Sequence, residues 1–375
     1  MYIKPFLVEE WMNAHETGAR YNIAETCVDS VSLNELWELS GVDGRALWEE
    51  FCGRRLTYGD IEGAPALREG ICGLYRTISP GCVIPTHGAA GANHHVFCSL
   101  IDPGDHVVSV MPTYQQLYSI PESFGARVSP LPLREENGYL PDPDELRRLV
   151  TPGTKMICLN NPNNPTGALM SGELLRQLAE IAREADAYLL CDEVYRHLNQ
   201  EDGWSESIAD LYDKGISVSS MSKVFSLAGL RLGWIATRDR EALKAFMSRR
   251  DYNLISCGMI DEYVAAAALR NREALLARSR RIVRENLAVL DAWIDSEPML
   301  RYVRPRAGTT ALVHYDHPMD SYEFCTRMYK ETGAFVTPGD CFGQPRTMRI
   351  GYACDAQVLR DGLEAVSRFL RTLER

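Results

Sequence analysis

The feature that most restricts the fold is a repeating pattern between about residue 80 and residue 236. Short apolar runs, each closed by turn-forming residues, alternate with stretches of helical spacing. "DHVVSVMP", "KMICLNNP", "AYLLCDEV", "ISVSSMSK" and "RLGWIA" each read as a buried strand. Between two of them, "SGELLRQLAEIAREADA" carries Leu174, Leu175, Leu178 and Ile181 at helical spacing, with Ser171 as the N-cap. Strand, helix and strand in repetition predict an α/β fold with a mostly parallel sheet and helices on both faces. After about residue 260 the pattern turns to long helical stretches, then the separated strands "TTALVHY" and "TMRIGYA" and a closing helix. We therefore expect a large domain over 46–258 and a smaller α+β domain built from 1–45 and 259–375.

Bulk properties exclude several classes of function. A net charge of −11 and the absence of any long basic block argue against nucleic acid as a partner. Eleven cysteines, with no C-x-x-C among them, read as reduced thiols of a cytoplasmic protein and offer no metal motif. The charges of Lys4, Glu9 and Glu10 interrupt the N-terminus where an export signal needs an apolar run. No membrane association is expected.

In an open α/β sheet, chemistry gathers beyond the carboxyl ends of the strands. After "KMICLNN" comes "NNPNNPTG", by itself an ordinary proline-rich turn. The next strand delivers Asp192 and Tyr195 in "CDEVYRHL"; alone, the aspartate reads as an N-cap. The third leads into "SVSSMSKVFSLAGLRLGW", where Ser220 and Ser222 precede Lys223 and are followed by Arg231. Hydroxyls with a guanidinium suit a phosphate. A lysine in a desolvated, cationic site has a lowered pKa and forms a Schiff base with an aldehyde. Upstream, "THGAAGANHH" is a small-residue loop opening a helix, whose free N–H groups also suit a phosphate. Lysine, phosphate cup, a carboxylate for a ring nitrogen and a phenol for a ring oxygen together describe one cofactor, pyridoxal 5'-phosphate.

With these motifs in this order, N-P-T-G, D-x-x-Y, S-x-S-K with its later arginine, and "MRIGYA", the chain resembles the class I/II aminotransferases of the fold type I pyridoxal phosphate enzymes. The resemblance implies that Lys223 joins the cofactor and shuttles the substrate proton. It implies that Asp192 pairs with the ring nitrogen, that Asn164 and Tyr195 bond the ring 3-oxygen, and that Tyr114 stacks on the ring. The phosphate would meet Ser220, Ser222, Arg231 and the backbone of Gly88, Ala89 and Ala90. Tyr58 would reach the phosphate of a neighbouring subunit, which implies a homodimer with shared active sites. Arg349 would grip the α-carboxylate of the amino acid, with Asn164 beside it.

The N-terminal segment "WMNAHETGARYNIAETCVDS" lacks the short glycine-containing loop common over the substrate in this family. It is similar instead to capreomycidine synthases and, more distantly, to arginine-oxidising members of the fold. Those relatives cyclise or oxidise arginine or hydroxyarginine. Cys27, a candidate substrate contact, falls where the oxidising members carry a histidine, which speaks against oxidase chemistry. Glu9, Glu10, Glu16, Glu25 and Asp251 are acidic candidates for a cationic side chain, each with a solvated surface charge as its ordinary reading. The leading expectation is an aminotransferase acting on an amino acid and a 2-oxo acid. The alternative is a cyclase, eliminase or oxidase of an arginine-like substrate. The acidic charge disfavours the third, non-enzymatic reading, a regulator's effector-sensing domain.

Overall fold

In the computed structural model, which describes residues 2–373, the chain enters through a helix, Leu7–His15, and a two-residue strand, β1 (Tyr21–Asn22). Seven strands follow: β2 (Val83–His87), β3 (His106–Met111), β4 (Arg127–Pro132), β5 (Thr154–Asn160), β6 (Tyr188–Asp192), β7 (Gly215–Ser220) and β8 (Leu232–Thr237). They form one sheet in the order β2-β8-β7-β6-β5-β3-β4. The pairs from β7 through β6, β5 and β3 to β4 are parallel, whereas β8 is antiparallel to both of its neighbours.

The apolar runs are continuous because this sheet is covered on both faces. Ile157 and Leu159 of β5 pack with Leu189 of β6 against Leu175, Leu178 and Ile181 of the Gly172–Glu184 helix. Met156 and Cys158, pointing the other way, join Leu190, Ile216 and Ile235 under Phe97 and Phe246. Alternate residues thus serve opposite cores, and burying each such side chain contributes roughly 1.5–3 kcal/mol. Ser171 caps its helix as expected, its Oγ accepting from Leu174 N–H at 3.1 Å.

Strands β9 (Leu300–Tyr302), β10 (Thr310–Tyr315), β12 (Thr337–Pro338) and β13 (Thr347–Gly351) form a four-stranded antiparallel sheet, order β12-β13-β10-β9. The remaining strand, β11 (Ala334–Phe335), pairs in parallel with β1. This pairing, the Trp11 Nε1–H bond to the Val336 carbonyl at 2.8 Å and the Gly351 N–H bond to the Ile23 carbonyl at 2.8 Å seat the N-terminal segment on the C-terminal strands. The long helical stretch expected after residue 260 is two helices, Met259–Arg270 and Arg272–Ser296, meeting at Asn271. All eleven cysteines are free. Among the described residues no helix is long and apolar enough to cross a membrane.

Candidate active site

The carboxyl ends of β5, β6 and β7 open into a cavity of about 560 Å³. Asp192 ends β6 and is 3% exposed. Its carboxylate accepts from Asn93 Nδ2 at 2.9 Å and from the Val194 N–H at 3.2 Å. Burial raises its pKa, the two donors and the Lys223 charge opposing. Among the described residues no basic side chain makes an ion pair with it. Tyr195, one turn on, is buried beside Lys223, and burial also raises its pKa.

Lys223 lies at the cavity floor after β7. Its Nζ donates to Thr26 Oγ1 at 2.6 Å and to Cys27 Sγ at 3.5 Å. Arg231 and Arg349 line the same cavity, but the expected lowering of the Lys223 pKa is not found, and that expectation is corrected. Burial works against the ammonium, yet the acidic groups around it turn the Lys223 pKa upward from its ordinary value. Glu25 supplies the ionised charge: burial would raise its pKa, but Lys223 and the N–H groups of Cys27 and Thr26 hold it below the usual range. Burial keeps the Cys27 thiol protonated.

At the cavity rim the Gly88–Leu100 helix begins with no side-chain cap, which leaves its first N–H groups pointing outward. Ala89, Ala90, Ser220, Ser222 and Arg231 line this end. Gly88, at φ 68°, lies just behind, where a Cβ would come within 3.0 Å of Arg231 Nη2. Gly233 of β8 makes the approach possible, since a Cβ there would sit 2.4 Å from the Gly88 carbonyl carbon. Arg231 itself is held at φ 50°, an uncommon conformation for a side-chain-bearing residue. Helix N-terminus, hydroxyls and guanidinium are a donor set for a phosphate.

Arg349, on β13, is 2% exposed. Its Nη1 donates to Asn164 Oδ1 at 3.2 Å, and its Nη2 donates to the Ala24 carbonyl and Thr337 Oγ1, each at 3.0 Å. Its Nε is buried without a partner. Burial lowers its pKa, and among the described residues it has no ion-paired carboxylate. Such a guanidinium has the charge and the free donor to receive an anion.

The N-terminal helix forms the remaining wall. Glu9, Glu16 and Glu25 line the cavity with Phe6, Val8 and Met12, whereas Glu10 and Asp251 are exposed and outside it. The surface-charge reading therefore holds for two of the five carboxylates. Glu16 has its pKa raised, first by burial and then by Glu25. Tyr114 lines the same wall, its ring 4.9 Å from that of Phe6 and its hydroxyl donating to Glu9 Oε1 at 2.8 Å. Tyr58 is 74% exposed and takes no part in this chain's own cavity. Sequence reasoning passed over Asn93 and Thr26, which touch Asp192 and Lys223 respectively. Asn93 stands in the quoted "GAAGANHH" and Thr26 in "AETC", with no spacing signal to mark either.

An uncapped helix start beside hydroxyls and a guanidinium, a buried carboxylate with no ion-pair partner and a buried lysine, all on one cavity, fit pyridoxal phosphate, and the protein is an enzyme of the class that uses it. The chain belongs to the aminotransferase class I and II family, whose model matches residues 45–366. The crystal structure of a PLP-dependent aminotransferase from Streptococcus suis 89-1591 superposes with a TM-score of 0.96 at 45% identity, covering 99% of both chains. Capreomycidine synthase of Streptomyces vinaceus is 31% identical over 97% of this chain and 93% of its own length. The aspartate/prephenate aminotransferase of Thermus thermophilus is also 31% identical, over 84% of this chain and 83% of its own.

Proposed function

We propose that this enzyme is an aminotransferase that moves the α-amino group of an amino acid to a 2-oxo acid. The observation that carries the reading is the placement of Lys223, Asp192, Tyr195 and the anion-seeking Arg349 around one cavity. Pyridoxal phosphate, when bound, supplies an aldehyde that takes up the amino group and a ring that withdraws electrons from Cα. Ser220, Ser222, Arg231 and the backbone of Gly88, Ala89 and Ala90 would hold its phosphate. Asp192 would keep the ring nitrogen protonated, Asn164 and Tyr195 would bond the ring oxygen, and Tyr114 would cover the ring face. Arg349 binds the α-carboxylate with parallel hydrogen bonds, and so orients the Cα–H bond toward Lys223. The Lys223 amine then takes and returns the Cα proton. Cys27, beside it, contacts the substrate.

We infer further a cytoplasmic homodimer, with Tyr58 projecting into the partner's site and 46–258 folding as the cofactor-binding domain. The exposure of Tyr58 and Leu56 on one loop supports the pairing of two chains.

A second reading is favoured by Glu9, Glu16 and Glu25, which put three carboxylates on the N-terminal wall of the cavity that holds Lys223. They suit a substrate with a cationic side chain, such as arginine or hydroxyarginine, and leave cyclisation, elimination or oxidation as outcomes. One experiment separates the readings. Holoenzyme is mixed with single amino acids, arginine and glutamate included, without a 2-oxo acid, while cofactor absorbance and dissolved oxygen are followed. Transfer predicts conversion to the amine form of the cofactor with one equivalent of 2-oxo acid and no oxygen uptake. Turnover that leaves the aldehyde form in place, or consumes oxygen, would replace the transfer reading by the second.

A further inference from the structure

We propose that the Glu25–Thr26–Cys27 turn is the docking position of the Lys223 amine whenever that amine is not joined to the cofactor, with Thr26 as its positioning residue. The geometry is specific. Thr26 Oγ1 accepts from Nζ at 2.6 Å, and Cys27 Sγ lies at 3.5 Å. The turn is tied from within, because Glu25 Oε1 accepts from the N–H groups of Thr26 at 2.8 Å and Cys27 at 3.0 Å. It is tied from outside too, by Thr309 Oγ1, which donates to the Thr26 carbonyl at 2.8 Å, and by the Val28 N–H, which donates to the Lys223 carbonyl at 3.2 Å.

The chemical consequence concerns the proton. When the free amine removes the Cα proton, the C–H electron pair stays with the substrate and Nζ becomes an ammonium. A hydrogen-bond acceptor fixed against Nζ stabilises that ammonium and keeps it in one place, so that the proton is returned from a defined direction. The groups that face Nζ are Glu25 and Cys27 from the N-terminal segment, Asp192 and Tyr195 from the turn after β6, and Arg349 from β13 in the same cavity. Of these, only the N-terminal turn offers the amine a hydrogen bond. The inference holds whether transfer, elimination or cyclisation follows, since it concerns the lysine and not the fate of the substrate.

The test uses the rate at which cofactor-free protein takes up pyridoxal phosphate, a step that requires the neutral amine. Thr26→Val removes the acceptor. Its uptake profile should shift to lower pH by about one unit, so that uptake at neutral pH is roughly tenfold faster. Its exchange of substrate Cα–H with solvent deuterium should be slower. Thr26→Ser keeps the hydroxyl and should restore both properties. Should Thr26→Val not fold, Glu25→Gln must move the uptake profile in the same direction by removing the neighbouring charge. A Thr26→Val profile that coincides with those of the wild type and Thr26→Ser would overturn the proposal, as would an unmoved profile in Glu25→Gln.

Discussion

Arg349 shows how much one residue's surroundings add to its identity. Within "TMRIGYA" it is simply an arginine in a strand. Buried, with Nε unpartnered and only neutral acceptors at its other nitrogens, it is a guanidinium suited to the carboxylate proposed for it. Arg349→Ala should raise the KM for the amino acid by about 100-fold, the scale of a lost charge-assisted bond of 1.5–3 kcal/mol. Cofactor affinity should change only a few-fold, and equal losses in titrations of both ligands would make Arg349 a structural residue. Lys223 carries the complementary lesson. Its motif marked a candidate nucleophile, but the hydrogen-bond partners of its amine, Thr26 and Cys27, lie almost two hundred residues earlier in the chain. No local pattern carries that information.

Among elements, the strands that the apolar pattern announced, β3, β5, β6, β7 and β8, are all present, and those it did not announce, β2 and β4, form the two edges of the sheet. Both carry proline, Pro85 in β2 and Pro130 and Pro132 in β4. Proline is tolerated at an edge because no partner strand needs the missing N–H, and it erases the strand signal from the sequence. The N-terminal segment is a second case. Its seat depends on Gly351, where a Cβ would lie 1.8 Å from the Glu25 carbonyl oxygen. Gly351→Ala should therefore displace residues 23–27 from β13 and with them the Thr26 contact to Lys223. The expected outcome is at least a tenfold loss in kcat/KM, with faster proteolysis of the N-terminal segment. A variant with normal kinetics and unchanged proteolysis would mean that the backbone yields without cost.

For the whole molecule, the sharpest expectation is shared active sites. Lys223→Ala and Tyr58→Ala subunits, each impaired alone, should regain activity when unfolded together and refolded as a mixture. A mixed dimer has one site with Lys223 from one chain and Tyr58 from the other, so recovery should approach one working site in two mixed dimer sites. Sedimentation of the native protein as a single-chain species, or no recovery on mixing, would refute the shared site. At this scale the division of labour between sequence and structure is plain. Local order determined the two-faced parallel sheet, because apolar runs of strand length cannot be solvated, and it placed Asp192, Ser220 and Lys223 at strand ends, because turn residues must follow those runs. Tertiary structure alone decided that Glu9, Glu16, Glu25 and Thr26 line the cavity that holds the lysine. That wall is seated by contacts such as the pairing of β1 with β11, roughly three hundred residues downstream, and a contact so distant along the chain leaves no trace in local spacing.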